Sequence, residues 1–309
     1  MKPGLIRVAV AALCVALGMA LGAGPLQHSN SERDKELAAQ KAEVTRKQHQ
    51  VDSLKRTTAF AESFAKATGP ALTRGALAGH AVALVTLPGA DPALVDQVKA
   101  DVAAAQGQVT AQVALAATMG KSSSRQLVDA LTSQMLTQAP GVTVPADAGG
   151  YVRFGALLAR ALGTSGTPAQ SAYDTTAVGI VSGLQSADLV TLTQPVSARA
   201  GLAIVVAGPE ARSDAAAADN AVPVTILQAF GAQVPTVVVG STGAASSRGV
   251  IGALRSTPGA HPAVSTVDSV ETAMGRVCAV LALAARARGT VGQYGAVNAA
   301  DGPLPGAKP

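Results

Sequence analysis

The sequence predicts an α/β protein with three parts: a single amino-terminal transmembrane helix, a helical coiled-coil-like stalk, and a Rossmann- or flavodoxin-like domain on a parallel sheet. Three observations predict it. An uncharged run of 19 residues extends from Val8 to Leu26, and a polar stretch free of Gly and Pro covers residues 30 to about 67. Beyond it, short apolar runs alternate with segments of helical period, as expected for strands covered on both faces and joined by crossover helices.

The apolar run follows Lys2 and Arg7 and precedes the mixed charges Ser31-Glu32-Arg33-Asp34-Lys35-Glu36. This flanking predicts a membrane anchor over residues 1–29 with its amino end cytoplasmic. A cleaved signal peptide is the competing reading, since Gly22, Ala23 and Gly24 close the segment. The run is nevertheless longer than the roughly 7–15 residues of a usual signal core. Both readings send the body out of the cytoplasm. The placement predicted is single-pass membrane with an extracytoplasmic body, the alternative being the outer envelope after export. Gly18 and Gly22 form a G-x-x-x-G pair whose missing side chains allow two such helices to approach closely, although small residues abound in this segment anyway.

The stalk, residues 30–68, carries Leu37, Val44 and Val51 at intervals of seven, with Leu54 three further on. Gln40 and Lys47 interrupt the seam, so a paired coiled coil and a single charged helix both fit the pattern. Gly69-Pro70 is expected to break the helix, with Gly75 and Gly79 in a connector.

The α/β domain is expected over 76–295, with a helical insert near 120–186. His80 to Leu87 reads as a covered strand; Asp91 caps a helix with Pro92 at its first position and Leu94, Val95, Val98 and Val102 on one face; Gly107 ends it; and Gln108 to Leu115 is β-prone. Strand, helix and strand at this spacing require a right-handed crossover and a parallel pair. The alternation resumes with a strand from Gly201 to Ala207, a helix from Asp214 to Phe230, a strand from Val234 to Val239, a short helix near Val250 to Arg255, a strand at Ala263 to Val267 and a helix from about Val270 to Arg288. Insert helices are predicted near 124–138, 151–163 and 169–185. Residues 296–309 read as a loose tail.

Composition narrows the function classes. Aromatics are 2% of the 309 residues, three Tyr, four Phe and no Trp, which removes the usual material for base stacking and for membrane-interface girdles. Net charge is +5, but Lys and Arg are scattered and form no dense basic run, so no nucleic-acid partner is expected. Cys14 lies in the apolar run, so Cys14 and Cys278 set up no disulfide framework.

Candidate chemistry is sparse. The loop Gly240-Ser241-Thr242-Gly243-Ala244-Ala245-Ser246-Ser247-Arg248-Gly249 follows a strand and precedes a helix, so Gly240, Ser241 and Gly243 could offer backbone donors to an anion. It matches neither G-x-G-x-x-G nor the phosphate-loop pattern, and a plain connection is the competing reading. The sequence lacks G-x-S-x-G, H-E-x-x-H and C-x-x-C, so no enzymatic activity, structural zinc or permanently bound cofactor is expected. Met274 and Cys278 stand four apart on a predicted helix and could converge on copper(I), a soft ion suited to thioether and thiolate sulfur; ordinary core sulfurs are the alternative.

Several segments carry a resemblance: Leu17 to Leu26, Gly75-Ala76-Leu77-Ala78-Gly79-His80 leading into a strand and Pro88, Val264-Ser265-Thr266-Val267-Asp268, Gly275-Arg276, and Gly289 to Gly295. In this order they resemble the actinobacterial copper transporter family over nearly the whole chain. The resemblance implies copper efflux or homeostasis, an outer-envelope pore, and links to envelope integrity, with copper as a transported or bound ion. It supplies no ligand set. The residues themselves argue against a transmembrane barrel, which needs alternating segments of about ten residues and aromatic belts. One apolar helix per chain cannot conduct ions, so a pore requires a homo-oligomer. The expected reading is a membrane-anchored envelope protein for copper transport, the alternative a non-catalytic scaffold that binds other envelope proteins.

Overall fold

A computed structural model describes residues 30–120, 122–164, 170–260 and 262–306. The anchor segment, with Gly18 and Gly22, lies outside the described residues. Among those described, no helix is long and apolar enough to cross a membrane. The chain divides into two units, Met1–Ala59 and Phe60–Pro309.

The polar stretch forms one helix, α1 (Asn30–Thr73). Within the first unit Leu37, Val44, Val51 and Leu54 are exposed, so the seam read from the sequence is unpartnered in the single chain. The helix does not break at Gly69-Pro70 but continues through Pro70 to Thr73. The closing turn is held by the Thr73 hydroxyl, which donates to the Gly69 carbonyl at 3.0 Å, and by the Arg74 N–H, which donates to the Pro70 carbonyl at 3.1 Å.

In the second unit β1 (Ala81–Thr86), α2 (Pro92–Ala104) and β2 (Gln108–Leu115) form the expected crossover, with β1 and β2 parallel. Asp91 accepts from the Ala93 N–H at 3.0 Å, and Leu94, Val95, Val98 and Val102 are buried. The turn out of α2 is made by Gln106 at φ +66°, not by Gly107. Gly107 instead permits close approach, since a Cβ there would stand 3.0 Å from Val102 Cγ1 and Leu77 Cβ.

The insert contains α3 (Ser122–Gln138), α4 (Gly150–Leu162), β3 (Gln170–Ser171), α5 (Thr175–Ser186), β4 (Val190–Gln194) and β5 (Arg199–Ala200). Asp174 starts α5 by accepting from the Ala177 N–H at 2.9 Å, six residues later than the sequence suggested. The same carboxylate receives Arg160 of α4 at 2.9 Å and faces Arg199 of β5 at 3.6 Å, tying three insert elements together.

The chain returns to the sheet as β6 (Leu202–Val206), α6 (Asp214–Ala217), α7 (Ala221–Gly231), β7 (Thr236–Val239), α8 (Val250–Ser256), β8 (Val264–Val267), α9 (Ala273–Ala287) and β9 (Gln293–Tyr294). The single helix expected from Asp214 is interrupted by a tighter turn at Ala218–Asn220, and α7 restarts with Pro223 in its first turn, where a missing N–H costs nothing. Strand order is β4-β2-β1-β6-β7-β8-β9, parallel throughout except for β4 against β2. Growth in opposite directions from β1 and β6 makes the sheet doubly wound.

Two apolar layers sandwich this sheet. Val82, Leu84, Ile204, Val237 and Val239 face α2 and α9. Ala81, Ala83, Ala203 and Val205 point the other way, toward α4, α5 and α7, where the small alanines leave room for Phe154 and Phe230. Gly155 brings α4 against α7: a Cβ there would lie 2.4 Å from the Ile226 carbonyl oxygen.

Gly155→Ala should destabilise by about 1–3 kcal/mol, because the obstructing atom is backbone and cannot turn aside. Gly179, exposed in α5 with nothing within 4 Å of its would-be Cβ, should respond oppositely, gaining about 0.4–1 kcal/mol as alanine. Urea titration of the two variants checks the contrast.

Candidate functional site

Asp268 follows β8 at the carboxyl end of the sheet and is wholly buried, while Arg255 reaches it from α8 with a side chain only 6% exposed. Arg255 Nη1 donates to Asp268 Oδ2 at 2.8 Å, Nη2 to the Tyr294 carbonyl at 2.7 Å and Nε to Thr266 Oγ1 at 3.0 Å. Nη1 also donates to the Val297 carbonyl. The carboxylate further accepts from Ser269 Oγ at 2.6 Å and from the N–H groups of Ala296 and Val297 at 2.8 and 3.2 Å. Burial pushes the Asp268 pKa up; the bonds from Ser269, Ala296 and Arg255, with the arginine charge, outweigh it and hold the carboxyl below its usual range.

This pair overturns the expectation of a loose tail from residue 296. Ala296 and Val297 are bound to Asp268, the Asp301 N–H donates to the Gln293 carbonyl at 3.0 Å, and the Gly295 N–H donates to the Gly302 carbonyl at 3.1 Å. Gly295 is required here: its φ is +129°, and a Cβ would lie 2.4 Å from the Asp268 carboxyl carbon.

The ordered tail forms one wall of an apolar groove of about 480 Å³. Phe64, Thr68 and Leu72 of α1 form a second wall, and Met274, Val277 and Cys278 of α9 line the rest. Helices α1 and α9 meet closely at Gly69, where a Cβ would stand 2.6 Å from Val277 Cγ2. Glu62 accepts from the Ala273 N–H at 2.7 Å, and Thr272 Oγ1 from the Gly275 N–H at 3.1 Å, so α1 and Thr272 together cap α9. Around the groove Phe64, Leu72, Met274 and Leu304 are exposed, and Phe60 stacks on Phe64 with ring centroids 6.4 Å apart.

Met274 and Cys278 thus line the same groove, Met274 at 51% exposure and Cys278 at 4%. Burial, with the Asp268 charge adding to it, pushes the thiol up to about 12, so it is protonated at neutral pH. Among the described residues, no group of three or more His, Cys, Asp or Glu is placed to hold a metal.

The loop Gly240 to Gly249 is occupied by its own chain. The Thr242 N–H donates to both Glu271 carboxylate oxygens at 3.0 and 3.2 Å, and Gly240 donates to Val267. The Ala244, Ser246 and Gly249 N–H groups donate to carbonyls of Ser241, Gly243 and Ser246. Of the three residues read as anion donors, Gly240 has spent its N–H on Val267, and the Glu271 carboxylate held at Thr242 would repel an anion beside Ser241 and Gly243. The crevice between β1 and β6, where doubly wound sheets usually hold ligands, is pinched at Gly208, where a Cβ would lie 2.2 Å from the Pro88 carbonyl oxygen, and beside it stays open as a cavity of about 300 Å³ lined by Leu115, Met119, Asp219 and Asn220.

Sequence reasoning missed the Arg255–Asp268 pair and the groove it frames. One signal was present: two of the chain's four Phe stand at i and i+4 in an otherwise polar helix.

Arg255→Met should cost about 3–5 kcal/mol, because it leaves a buried carboxylate uncompensated. With a folded-state pKa below the unfolded value, Asp268 adds stability above the unfolded carboxylate pKa of about 3.9 and loses it as pH falls through the folded value. Asp268→Asn should lose that part of the acid dependence in melts recorded across pH 2–6. Native Cys278 should react with a thiol reagent at pH 7.5 far more slowly than the denatured chain.

The geometry thus presents a sulfur-lined groove on a helix-covered domain. A family model described as "Copper transport outer membrane protein, MctB" matches residues 2–305. Comparison with curated proteins gave no match. With nearly its whole length matched, the chain belongs to the copper transport outer membrane protein family, which places its function in copper transport at the envelope membrane.

Proposed function

We propose that the protein exports copper as a membrane-tethered oligomer, held by the Val8–Leu26 segment with its α/β body beyond the cytoplasm, and that the body binds and guides its cargo without catalysis. Family membership over residues 2–305 is the observation that carries this reading. Both faces of the sheet are covered by helices, which supports a body that is not itself the pore wall. A conduction path would then come from assembled amino-terminal segments, with Gly18 and Gly22 at their contacts and the α1 seam joining the chains. The Glu271 carboxylate held at Thr242 and the protonated Cys278 thiol support a non-catalytic role.

A second reading is favoured by the apolar rim of the groove: the body also serves as a scaffold that holds another envelope protein. Exposed Phe60 (73%) and Phe64 (60%) are large apolar groups left open in a protein with few aromatics.

A deletion strain should accumulate intracellular copper and tolerate less of it in the medium, with the full chain restoring both. Unchanged copper content and tolerance would remove transport and leave the scaffold. In crosslinking of the full chain in membranes, Leu37→Glu with Val51→Glu should abolish the oligomer band; an unaltered band would remove the α1 seam from assembly.

A further inference from the structure

We propose that Met274 and Cys278 form a copper(I) site in the groove, with the thioether at its exposed rim and the thiolate at its base; this deepens the copper-transport reading and rests on it. The two residues stand one helical turn apart on α9 and line one cavity, so their sulfurs can approach a single ion from the same side.

The state of the groove's other polar groups gives the stronger argument. Thr68 Oγ1 donates to the Phe64 carbonyl at 2.8 Å, and Thr272 Oγ1 donates to the Ser269 carbonyl at 2.8 Å. Ser269 Oγ donates to Asp268, whose oxygens are filled by Ser269, Ala296, Val297 and Arg255. Cys278 is the exception: it is more than nine-tenths buried, and its thiol makes no hydrogen bond among the described residues. The groove's lining carboxylate is thus filled, its other side-chain oxygens are neutral hydroxyls oriented by their own bonds, and its soft donors are the two sulfurs. That donor set suits copper(I) and disfavours the harder divalent ions. The other described methionines are spent on packing: Met119 is buried in the core and Met135 packs against Gly183 of α5.

Binding balances without a redox partner. Copper(I) accepts lone pairs from the Met274 thioether and the Cys278 sulfur, the S–H bond breaks as the copper–thiolate bond forms, and one proton leaves to solvent per ion bound. The buried Cys278 end of the groove limits the access of water to the ion, while the half-exposed Met274 end leaves a way in and out.

The test is anaerobic titration of the purified full chain with copper(I) against a chromophoric copper(I) chelator, with X-ray absorption on the loaded protein. The wild type should bind one copper(I) per chain in a sulfur-only first shell. Cys278→Ala should lose this site. Met274→Leu, at a half-exposed position that leaves the fold intact, should bind more weakly by at least the roughly tenfold that loss of even an outer-shell partner causes. Wild-type affinity in both variants, or a first shell of nitrogen and oxygen, overturns the site. A Cys278→Ala chain that binds copper(I) normally and restores tolerance to the deletion strain overturns the site and leaves the transport reading intact. Loss of binding in Cys278→Ala, in a strain whose copper is indifferent to deletion, supports the site and counts against transport.

Discussion

The carboxyl-terminal half of the body depends on one buried ion pair, Asp268 with Arg255. Two charges taken out of water are tolerable only when nearly every lone pair and N–H is matched, and the pair alone cannot supply enough partners. The missing partners come from the backbone of the terminal segment: the N–H groups of Ala296 and Val297 and the carbonyls of Tyr294 and Val297. The charge at the end of β8 thus dictates the path of the chain after β9. It also explains why Gly295 bears no side chain, since the carboxylate occupies the space a Cβ would need.

The groove follows from that path. The pinned tail brings Pro303 and Leu304 opposite the last turns of α1, while the Gly69 contact with Val277 brings those turns onto α9. Cys278 lies where the three meet. Its burial makes the thiol a poor nucleophile at neutral pH, which favours a role as ligand or packing group over one in covalent chemistry. Elsewhere at the carboxyl end of the sheet, Gly208 approaches Pro88 closely and Glu271 covers the Thr242 N–H.

Much of the fold was legible because its signals are local. Asp91-Pro92 announces a helix start, and the apolar runs at Ala81–Thr86 and Leu202–Val206 announce covered strands; each needs only neighbours in sequence to be read. What escaped depends on partners far apart. Pro70 reads as a helix breaker, yet the turn that holds it packs at Gly69 against Val277 of α9, and the antiparallel edge strand β4 forms on β2, far from it in sequence. The tail is rich in Gly, Pro and Ala and carries no periodicity, so nothing within it reveals a carboxylate about thirty residues upstream. Of the site, the sequence showed the spacing of Met274 and Cys278 but not the groove around them, which is assembled from α1, α9 and the terminal segment. At the Gly240 loop the converse holds: glycine and serine signal accessible donors, and only tertiary structure places Glu271 on the neighbouring Thr242 N–H.

Amide hydrogen exchange on the native full chain tests the central claim most directly, because it reads the bonds that the Asp268–Arg255 pair demands. The account predicts that the Ala296 and Val297 amides exchange as slowly as those of β8, and that Asp268→Asn releases both. Exchange of these two amides at unstructured-peptide rates, while β8 stays protected, would contradict it.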